Sequence, residues 1–229
     1  MNRMIGQLLE LTRLGNKRSV PLSPLDISAY VADIVTDYQK LPESRDITWD
    51  IQIEPNITVP TDQSLFMRIF INYLDNAMKF TRSRVKVCLY GKGNEVYLTV
   101  SDDGAGMDES TLKKIWDRLY QADASRSRKL NAGLGLGLSF VAAAAKLLDC
   151  RAYAESTPGV GKAPFILFLR DRAVKKTVQE GSCGSLFGFG DGYTFPRWTH
   201  VRYCLASRES AARQDRGGLW AAGVMKRGK

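Results

Sequence analysis

Histidine is almost absent from this chain, which has one histidine, His200, among 229 residues. The four cysteines are scattered and form no CxxC pair, so the chain lacks the spacing of a common zinc site or of a disulfide framework. Free thiols are typical of a reducing compartment, and we therefore expect a cytoplasmic location. The cysteines are Cys88, Cys150, Cys183 and Cys204.

Long hydrophobic runs are also absent. No apolar run approaches the roughly 18 residues needed to cross a membrane. Charged and polar residues interrupt the first 14 residues, which excludes the pattern of a secretory signal peptide. The sequence therefore predicts no membrane segment in this chain, and an anchor in a longer parent chain is left open. The length of this chain, 229 residues, allows one full domain with additional residues.

Acidic residues are in the minority, and the net charge is +9. The last 56 residues carry ten basic and four acidic side chains, a net charge of +6, which leaves +3 for the first 173 residues. No basic stripe marks the body of the chain, so we expect no nucleic-acid partner. Residues 174–229 are rich in glycine and lack periodicity, which predicts a basic, disordered tail.

Apolar periodicity and turn residues predict the order of the elements. Asp26 and Asp62 are placed to cap two helices. The first helix has little of its own to pack against. The predicted helices cover residues 4–14, 27–40, 63–80, 110–116 and 133–148, and the predicted strands cover residues 47–53, 57–59, 85–90, 96–100, 151–155 and 165–169.

The central predicted helix, residues 63–80, has a polar edge beside its apolar face. Asn72, Asn76 and Lys79 are spaced i, i+4 and i+7 and therefore share one stripe of the helix. Carboxamide oxygens are hard ligands suited to Mg²⁺, and an ammonium group suits a phosphate. An ordinary solvated edge of an amphipathic helix is an equal alternative for this helix alone.

Two glycine clusters follow this helix in a fixed order. A strand ends in DxGxG, with Asp102, Gly104 and Gly106, and a polar basic loop leads to GxGxG at a helix start. Glycines allow close approach of the backbone to a ligand, and amides at a helix start favour phosphate oxygens. An acidic side chain after a strand can accept a hydrogen bond from an exocyclic amine. Each cluster alone is a weak signal, and the order of the clusters favours a nucleotide site.

The four motifs NYLDNAMKFT, VSDDGAGM, IWDRLYQAD and GLGLGL resemble the N box, first glycine box, F box and second glycine box of sensor histidine kinases. The resemblance covers residues 1–169. It implies a Bergerat-type ATP-binding α/β sandwich, a mixed sheet covered on one face by three helices. It also implies three regions: residues 1–17 end a dimerisation and phosphoacceptor helix, residues 18–173 form the catalytic domain, and residues 174–229 are the tail.

The resemblance implies roles for the polar edge of the central helix. Asn76, with Asn72, would hold Mg²⁺ between the phosphates, and Lys79 would contact a phosphate. Asn76 and Lys79 would thereby be the catalytic residues. Phe80 would lie against the adenine, with a core aromatic as an equal alternative.

The resemblance places the rest of the nucleotide in the glycine boxes. Asp102 would accept a hydrogen bond from the adenine amino group, although an Asp before glycine also forms turns. Gly104 and Gly106 would shape the adenine pocket. Arg126, Arg128 and Lys129 would lie in a lid over the ATP, or in an ordinary solvated loop. The segment expected to wrap the phosphates contains Gly133, Gly135, Leu136 and Gly137.

One position separates this chain from the gyrase-type and MutL-type ATPases that share the fold. Those proteins have a glutamate one helical turn before the Mg²⁺-binding asparagine, and this chain has Asn72 there. A carboxamide is not a general base, so the resemblance favours phosphoryl transfer to a protein over hydrolysis.

The family's phosphoacceptor histidine lies in an earlier helix that this chain does not contain. His200 has no helical pattern around it and is a poor candidate. We therefore expect a histidine kinase whose acceptor lies on a dimerisation domain outside this chain, with a response regulator receiver domain as partner. A non-catalytic ATP-binding regulatory module and an anti-sigma-type serine kinase of the same fold are the alternatives.

Overall fold

The structure is a computed structural model that describes residues 2–93, 95–121 and 135–156, and the strands Phe165–Arg170 and Arg202–Cys204. The described part of the chain contains five α-helices and a short 3₁₀ helix, Pro42–Ser44. None of these helices is long and apolar enough to cross a lipid bilayer. The α-helices are α1 (Asn2–Asn16), α2 (Ile27–Gln39), α3 (Gln63–Phe80), α4 (Glu109–Leu112) and α5 (Gly137–Leu147).

The described residues form eight strands in two sheets. Strands β1 (Ser23–Asp26) and β3 (Thr58–Thr61) form a small antiparallel sheet of two strands. The main sheet has the order β2-β4-β5-β7-β6-β8, with β2 parallel to β4 and every other pair antiparallel. Its strands are β2 (Thr48–Ile53), β4 (Arg84–Lys92), β5 (Glu95–Asp102), β6 (Arg151–Glu155), β7 (Phe165–Arg170) and β8 (Arg202–Cys204).

The core lies between one face of this sheet and the helices. Alternate residues of β4 and β5 point to that face, because side chains alternate along a strand. Val87 opposes Val100 and Leu89 opposes Leu98, and all four are buried. The predicted mixed sheet with helices packed on one face is confirmed. The central helix contributes the largest share of the opposing layer, with Phe66, Ile69, Phe70, Tyr73, Leu74 and Ala77.

Helix starts follow the predicted capping residues. The Asp26 carboxylate accepts hydrogen bonds from the backbone N–H groups of Ser28 and Ala29, at 3.0 and 3.2 Å. The Asp62 carboxylate accepts one from the N–H of Leu65 at 2.9 Å. Each carboxylate satisfies N–H groups that have no partner within the helix, which explains why α2 and α3 begin where the sequence predicts.

The structure differs from the sequence prediction in several elements. Strand β1 lies where Pro21 and Pro24 leave open a linker or a short strand, and α5 begins at Gly137 and not at residue 133. The predicted helix 110–116 is shorter, because α4 covers only Glu109–Leu112 and turns follow it. The first helix was expected to have little to pack against, but Leu11 and Leu14 are buried in the common core. Strand β8 was not predicted, and it pairs with β6 at Tyr153 to Glu155. The remaining residues of 174–229 lie outside the described residues, so the predicted disordered tail stays a prediction.

Candidate active site

The polar edge of α3 forms one side of the candidate site. Asn72 and Asn76 are half-buried, and Lys79 is exposed in the last turn of the helix. The Asn72 carboxamide nitrogen donates to the backbone oxygen of Arg68 at 2.6 Å, which leaves its oxygen Oδ1 directed away from the helix backbone. The Asn76 carboxamide makes no hydrogen bond within the described part of the chain. Two half-buried carboxamides therefore lie one turn apart on this edge of the helix.

The start of α5 lies directly beside Asn72. A Cβ atom at Gly137 would overlap Asn72 Oδ1, so a larger residue there would displace the Asn72 carboxamide. Glycine allows this close approach of the second glycine box to the polar edge of α3 without such a shift. Asn72 and Gly137, which are 65 positions apart in the sequence, are thus brought together.

Among the described residues, no side chain caps the first turn of α5. Its N-cap residue, Leu136, is buried and makes no side-chain capping hydrogen bond. Ser139 donates its hydroxyl to the Leu136 carbonyl oxygen at 2.9 Å and does not cap the N–H groups. Uncapped N–H groups and the positive end of the helix dipole can bind an anion.

Gly135 connects this helix start to the F box. Its φ angle of +68° is in the left-handed region, and a Cβ there would lie 2.7 Å from the Tyr120 carbonyl oxygen. The Leu119 N–H donates to the Gly135 carbonyl oxygen at 3.0 Å. The two ends of the intervening segment are therefore in contact. The predicted lid residues and the first glycine of this box lie outside the described residues: Arg126, Arg128, Lys129 and Gly133.

The first glycine box meets the other end of α3. A Cβ atom at Gly104 would lie 2.4 Å from the carbonyl oxygen of Phe80 and 2.6 Å from Asp102 Oδ1. The Gly104 N–H donates to that carboxylate oxygen at 2.8 Å, so Asp102 does form the turn that its position before glycine predicts. Gly106, two residues on, is half-buried.

Phe80 is not a core residue. Its side chain is 56% exposed at the end of α3, and the Lys79 ammonium lies 5.1 Å from its ring centre. The alternative of a core aromatic at this position is wrong. An exposed aromatic face beside the first glycine box is available for contact with a planar ligand.

Asp102 is buried, with 6% of its surface exposed. Loss of hydration raises the pKa of its carboxyl to about 6. The hydrogen bond from the Gly104 N–H lowers this pKa, and the nearby charge of Asp103 raises it further. A buried carboxylate with one oxygen committed to a turn can use its remaining acceptor capacity for an amine of a ligand. Perturbed carboxyl groups in a cleft are frequent at functional sites.

Two polar anchors of the first glycine box were missed by the sequence analysis. The Asp103 carboxylate accepts hydrogen bonds from the turn after α3, and the buried Ser156 hydroxyl accepts one from the Met107 N–H at 2.6 Å. The adjacent acidic pair DD in the motif is a weak sequence signal for the first anchor. Nothing in the sequence marks Ser156, which is 49 residues from its partner.

The donor set suits a hard cation that is shared with a ligand. Among the described residues, no group of three His, Cys, Asp or Glu side chains could enclose a metal ion. Mg²⁺ keeps several waters and is commonly held by one or two protein oxygens together with substrate phosphates. The oxygens of Asn72 and Asn76, next to uncapped helix N–H groups, fit that mode of binding.

The family comparison agrees with this geometry. Residues 61–173 match the family described as histidine kinase-, DNA gyrase B-, and HSP90-like ATPase. The sensor protein kinase WalK of Staphylococcus haemolyticus is 28% identical over 171 residues, and WalK of Staphylococcus epidermidis is 28% identical over 172. Each alignment covers 72% of this chain, which spans only 28% of the length of either relative.

Solved structures with the same fold are also histidine kinases. Full-length ShkA in complex with AMPPNP superposes with a TM-score of 0.62 at 23% identity, over 75% of this chain and 36% of that one. The mycobacterial sensor histidine kinase MprB superposes with a TM-score of 0.55 at 22% identity, over 67% of this chain and 99% of that one. Residues 61–173 therefore match the ATPase family of histidine kinases, DNA gyrase B and HSP90, and the chain is similar in sequence and fold to the ATP-binding part of sensor histidine kinases.

Proposed function

We propose that this chain binds Mg·ATP and transfers the γ-phosphate to a histidine on a dimerisation domain in two-component signal transduction. The observation that carries the proposal is the contact of Asn72 with Gly137, which joins the polar edge of α3 to the start of α5, where phosphate is proposed to bind. A receiver domain of a response regulator is the proposed partner that takes the phosphoryl group onward.

The proposed roles follow the two ends of α3. Asn72 and Asn76 would hold Mg²⁺, whose charge offsets that of the phosphates, and Lys79 would contact a phosphate. Gly135, Leu136 and Gly137 would present backbone N–H groups to the phosphates. Transfer of a phosphoryl group depends mainly on positioning and neutralisation of charge, which these groups supply.

The adenine would lie at the other end of α3. Asp102 would accept a hydrogen bond from the adenine amino group, Phe80 would contact the ring, and Gly104 and Gly106 would leave space for it. By the family resemblance, Arg126 and Arg128 are proposed to contact the nucleotide from the lid, and Gly133 is proposed to wrap the phosphates. Asn72 stands where a hydrolytic glutamate would activate water, so a protein nucleophile is the favoured acceptor.

Nucleotide binding is tested by calorimetric titration with Mg·ATP. Gly137→Ala should raise the Kd about tenfold, because its methyl group would displace the Asn72 carboxamide. Asn76→Ala should raise it to a similar degree by removing a cation ligand. Gly6→Ala is the matched control, since a Cβ there meets open space. A wild-type chain that binds no nucleotide with Mg²⁺ would refute the proposed function.

Phosphoryl transfer is tested with γ-labelled ATP, with and without a separately supplied histidine-bearing bundle domain. Label should appear on the bundle domain and be lost with Asn76→Ala, while the chain alone stays unlabelled. Strong label on the chain that disappears in His200→Ala would make His200 the acceptor. Nucleotide binding without transfer to any bundle domain would favour the second candidate, a non-catalytic ATP-binding module. This second candidate is retained because the chain has a single histidine, His200, and no helical pattern surrounds it.

A further inference from the structure

One carboxylate holds the turn between α3 and β4. Asp103 Oδ1 accepts hydrogen bonds from the Thr81 hydroxyl at 2.8 Å, the Arg82 N–H at 2.8 Å and the Ser83 N–H at 3.0 Å. Its second oxygen accepts one from the Ser83 hydroxyl at 2.8 Å. The Asp103 N–H in turn donates to the Arg84 carbonyl oxygen at 3.3 Å. All three residues of the turn are therefore anchored by a single side chain.

This carboxylate lies between the two segments that form the proposed adenine end. The turn begins directly after Phe80, and Asp103 directly follows Asp102 in the chain. The same two segments touch at the backbone, where the Phe80 carbonyl oxygen occupies the space that a Cβ of Gly104 would need. Movement of the turn would therefore change the distance between the Phe80 ring and the Asp102 carboxylate.

We propose that Asp103 is a positioning residue for adenine recognition: its carboxylate fixes Phe80 relative to Asp102 and so sets the selectivity for adenine nucleotides. The inference rests on the proposed function, because it assumes that nucleotide binds at this end of α3. Asp103 itself does not contact the ligand in this account. It acts through the turn, at the opposite end of α3 from the phosphates.

The chemistry of the cluster favours an ionised carboxylate. All four partners are donors, and a carboxylate is an acceptor at both oxygens. Burial raises the pKa of the Asp103 carboxyl, but hydrogen bonds from Ser83, Thr81 and Arg84 outweigh burial and hold the pKa well below its usual range. The carboxylate is therefore charged throughout the neutral range, where charge-assisted hydrogen bonds are stronger than neutral ones.

An asparagine at this position is the conservative variant. Its carbonyl oxygen, with two lone pairs, can accept two of the three hydrogen bonds now made to Oδ1, and the Ser83 hydroxyl can rotate to accept from the new amide. Asp103→Ala removes all four. The two variants therefore separate loss of the anchor from loss of the charge.

The test compares the Kd values for Mg·ATP, Mg·GTP and inorganic tripolyphosphate by calorimetry. Asp103→Ala should weaken ATP binding about tenfold and lower the preference for ATP over GTP at least about fivefold. Tripolyphosphate binding should stay within about twofold, because its contacts lie at the other end of α3. Asp103→Asn should restore most of the preference for ATP.

Asp108→Ala is the matched control. Asp108 caps α4 and accepts hydrogen bonds from its first turn, from the Thr111 N–H and the Ser110 hydroxyl at 2.7 and 2.9 Å, but no hydrogen bond among the described residues links it to Phe80. Its three Kd values should match the wild type. If Asp103→Ala does not fold, the double variant Thr81→Val, Ser83→Ala removes two of the four donors and should lower the same preference.

The outcomes separate the two levels of the proposal. An unchanged ratio of ATP to GTP affinity in the Asp103 variants would overturn the positioning role. Equal weakening of ATP, GTP and tripolyphosphate would also overturn it, since a merely structural residue would act on the whole site. A wild type that binds neither nucleotide would instead overturn the proposed function itself.

Discussion

The Asp102 carboxyl is buried in the folded chain and loses its hydration on folding. This loss of hydration destabilises the charged form of the carboxyl. Its pKa rises to about 6, above the ordinary value of 3.8. The folded chain therefore holds this proton more tightly than the unfolded chain. The stability that Asp102 contributes is present below about pH 4 and is lost as the pH rises through about 6.

Asp102→Asn should therefore stabilise the ligand-free chain at neutral pH. We expect its free energy of unfolding to exceed that of the wild type by about 2 kcal/mol at pH 7.5, with the difference shrinking towards pH 4.5. Urea denaturation of both chains across this range measures it, and the subtraction cancels the other titrating groups. A difference that grows as the pH falls would contradict the burial argument.

The same residue gives the proposed site a dependence on pH. If the ionised Asp102 accepts the adenine amino group, Mg·ATP affinity should fall as the pH drops through about 6, by about tenfold per pH unit below it. Calorimetry at pH 5 to 8 measures this change. Asp102→Asn should bind weakly and show no such change in this range, and a wild-type affinity that rises with acid would contradict the assigned role.

The positions of the candidate ligand-binding residues could be predicted from the sequence motifs. The roles of the residues that hold those motifs in place could not. The i, i+4, i+7 spacing of Asn72, Asn76 and Lys79 depends only on helix geometry, so the sequence alone predicts a shared stripe. Asp103 and Ser156 act on segments 20 to 22 and 49 positions away. Such contacts arise only after the turns are folded beside each other. The acidic pair Asp102–Asp103 signals the first of them only weakly, and no local pattern marks Ser156.

At the scale of elements, Arg68 joins three helices. Its guanidinium pairs with Glu10 of α1 and lies 3.8 Å from the ring centre of Phe140 on α5. Loss of hydration lowers the pKa of Arg68, which reflects this partly buried position. Its backbone oxygen accepts the Asn72 hydrogen bond. The first helix is therefore connected to the residue on which the proposed phosphate end depends.

The Glu10–Arg68 pair should stabilise the docking of α1. A double-mutant cycle with Glu10→Ala and Arg68→Ala should give a coupling energy of about 0.5–1 kcal/mol, because the pair is about half exposed and screened. Arg68→Ala should also raise the Kd for Mg·ATP about threefold by loosening α3 next to Asn72.

The exposed pair Asp37–Lys40 on α2 is the control for this cycle. Its coupling energy should be smaller, since both side chains are largely in water. Equal coupling energies for the two pairs would show that α1 gains nothing from its contact with Arg68.

Elements with strong local signals were predicted within one or two residues, and weak ones were not. Asp26 and Asp62 mark the starts of α2 and α3, and Pro42 follows the end of α2. In contrast, β8 has three residues and depends on its hydrogen bonds to β6 rather than on any periodicity of its own. Tertiary pairing decides the structure of such short segments.

For the whole molecule, β8 covers the edge of β6 in the main sheet. Truncation after residue 173 removes this strand and, among the described residues, three residue pairs. We therefore expect a small fall in the melting temperature, of about 2–4 °C. The uncovered edge should favour association of the truncated chain, because unpaired strand edges pair with other chains.

Thermal denaturation and analytical ultracentrifugation of the full and truncated chains measure these two effects. A chain truncated after residue 210 retains β8 and should behave like the full chain in both measurements. A steep fall in melting temperature after truncation at residue 173 would contradict the prediction that the tail is dispensable to the fold.

The contacts of α3 with both glycine boxes have a consequence for the size of the ligand. Asn72, beside Gly137, and Phe80, beside Gly104, are eight residues apart on one helix, which is about 12 Å along its axis. In the proposed function, the helix therefore sets the distance between the binding site for the base and the binding site for the phosphates. A nucleoside monophosphate would reach only the base site, and an inorganic polyphosphate only the phosphate site. Inserting one residue between Asn72 and Phe80 would lengthen the helix by about 1.5 Å and rotate one site relative to the other by about 100°, so that no single nucleotide could occupy both.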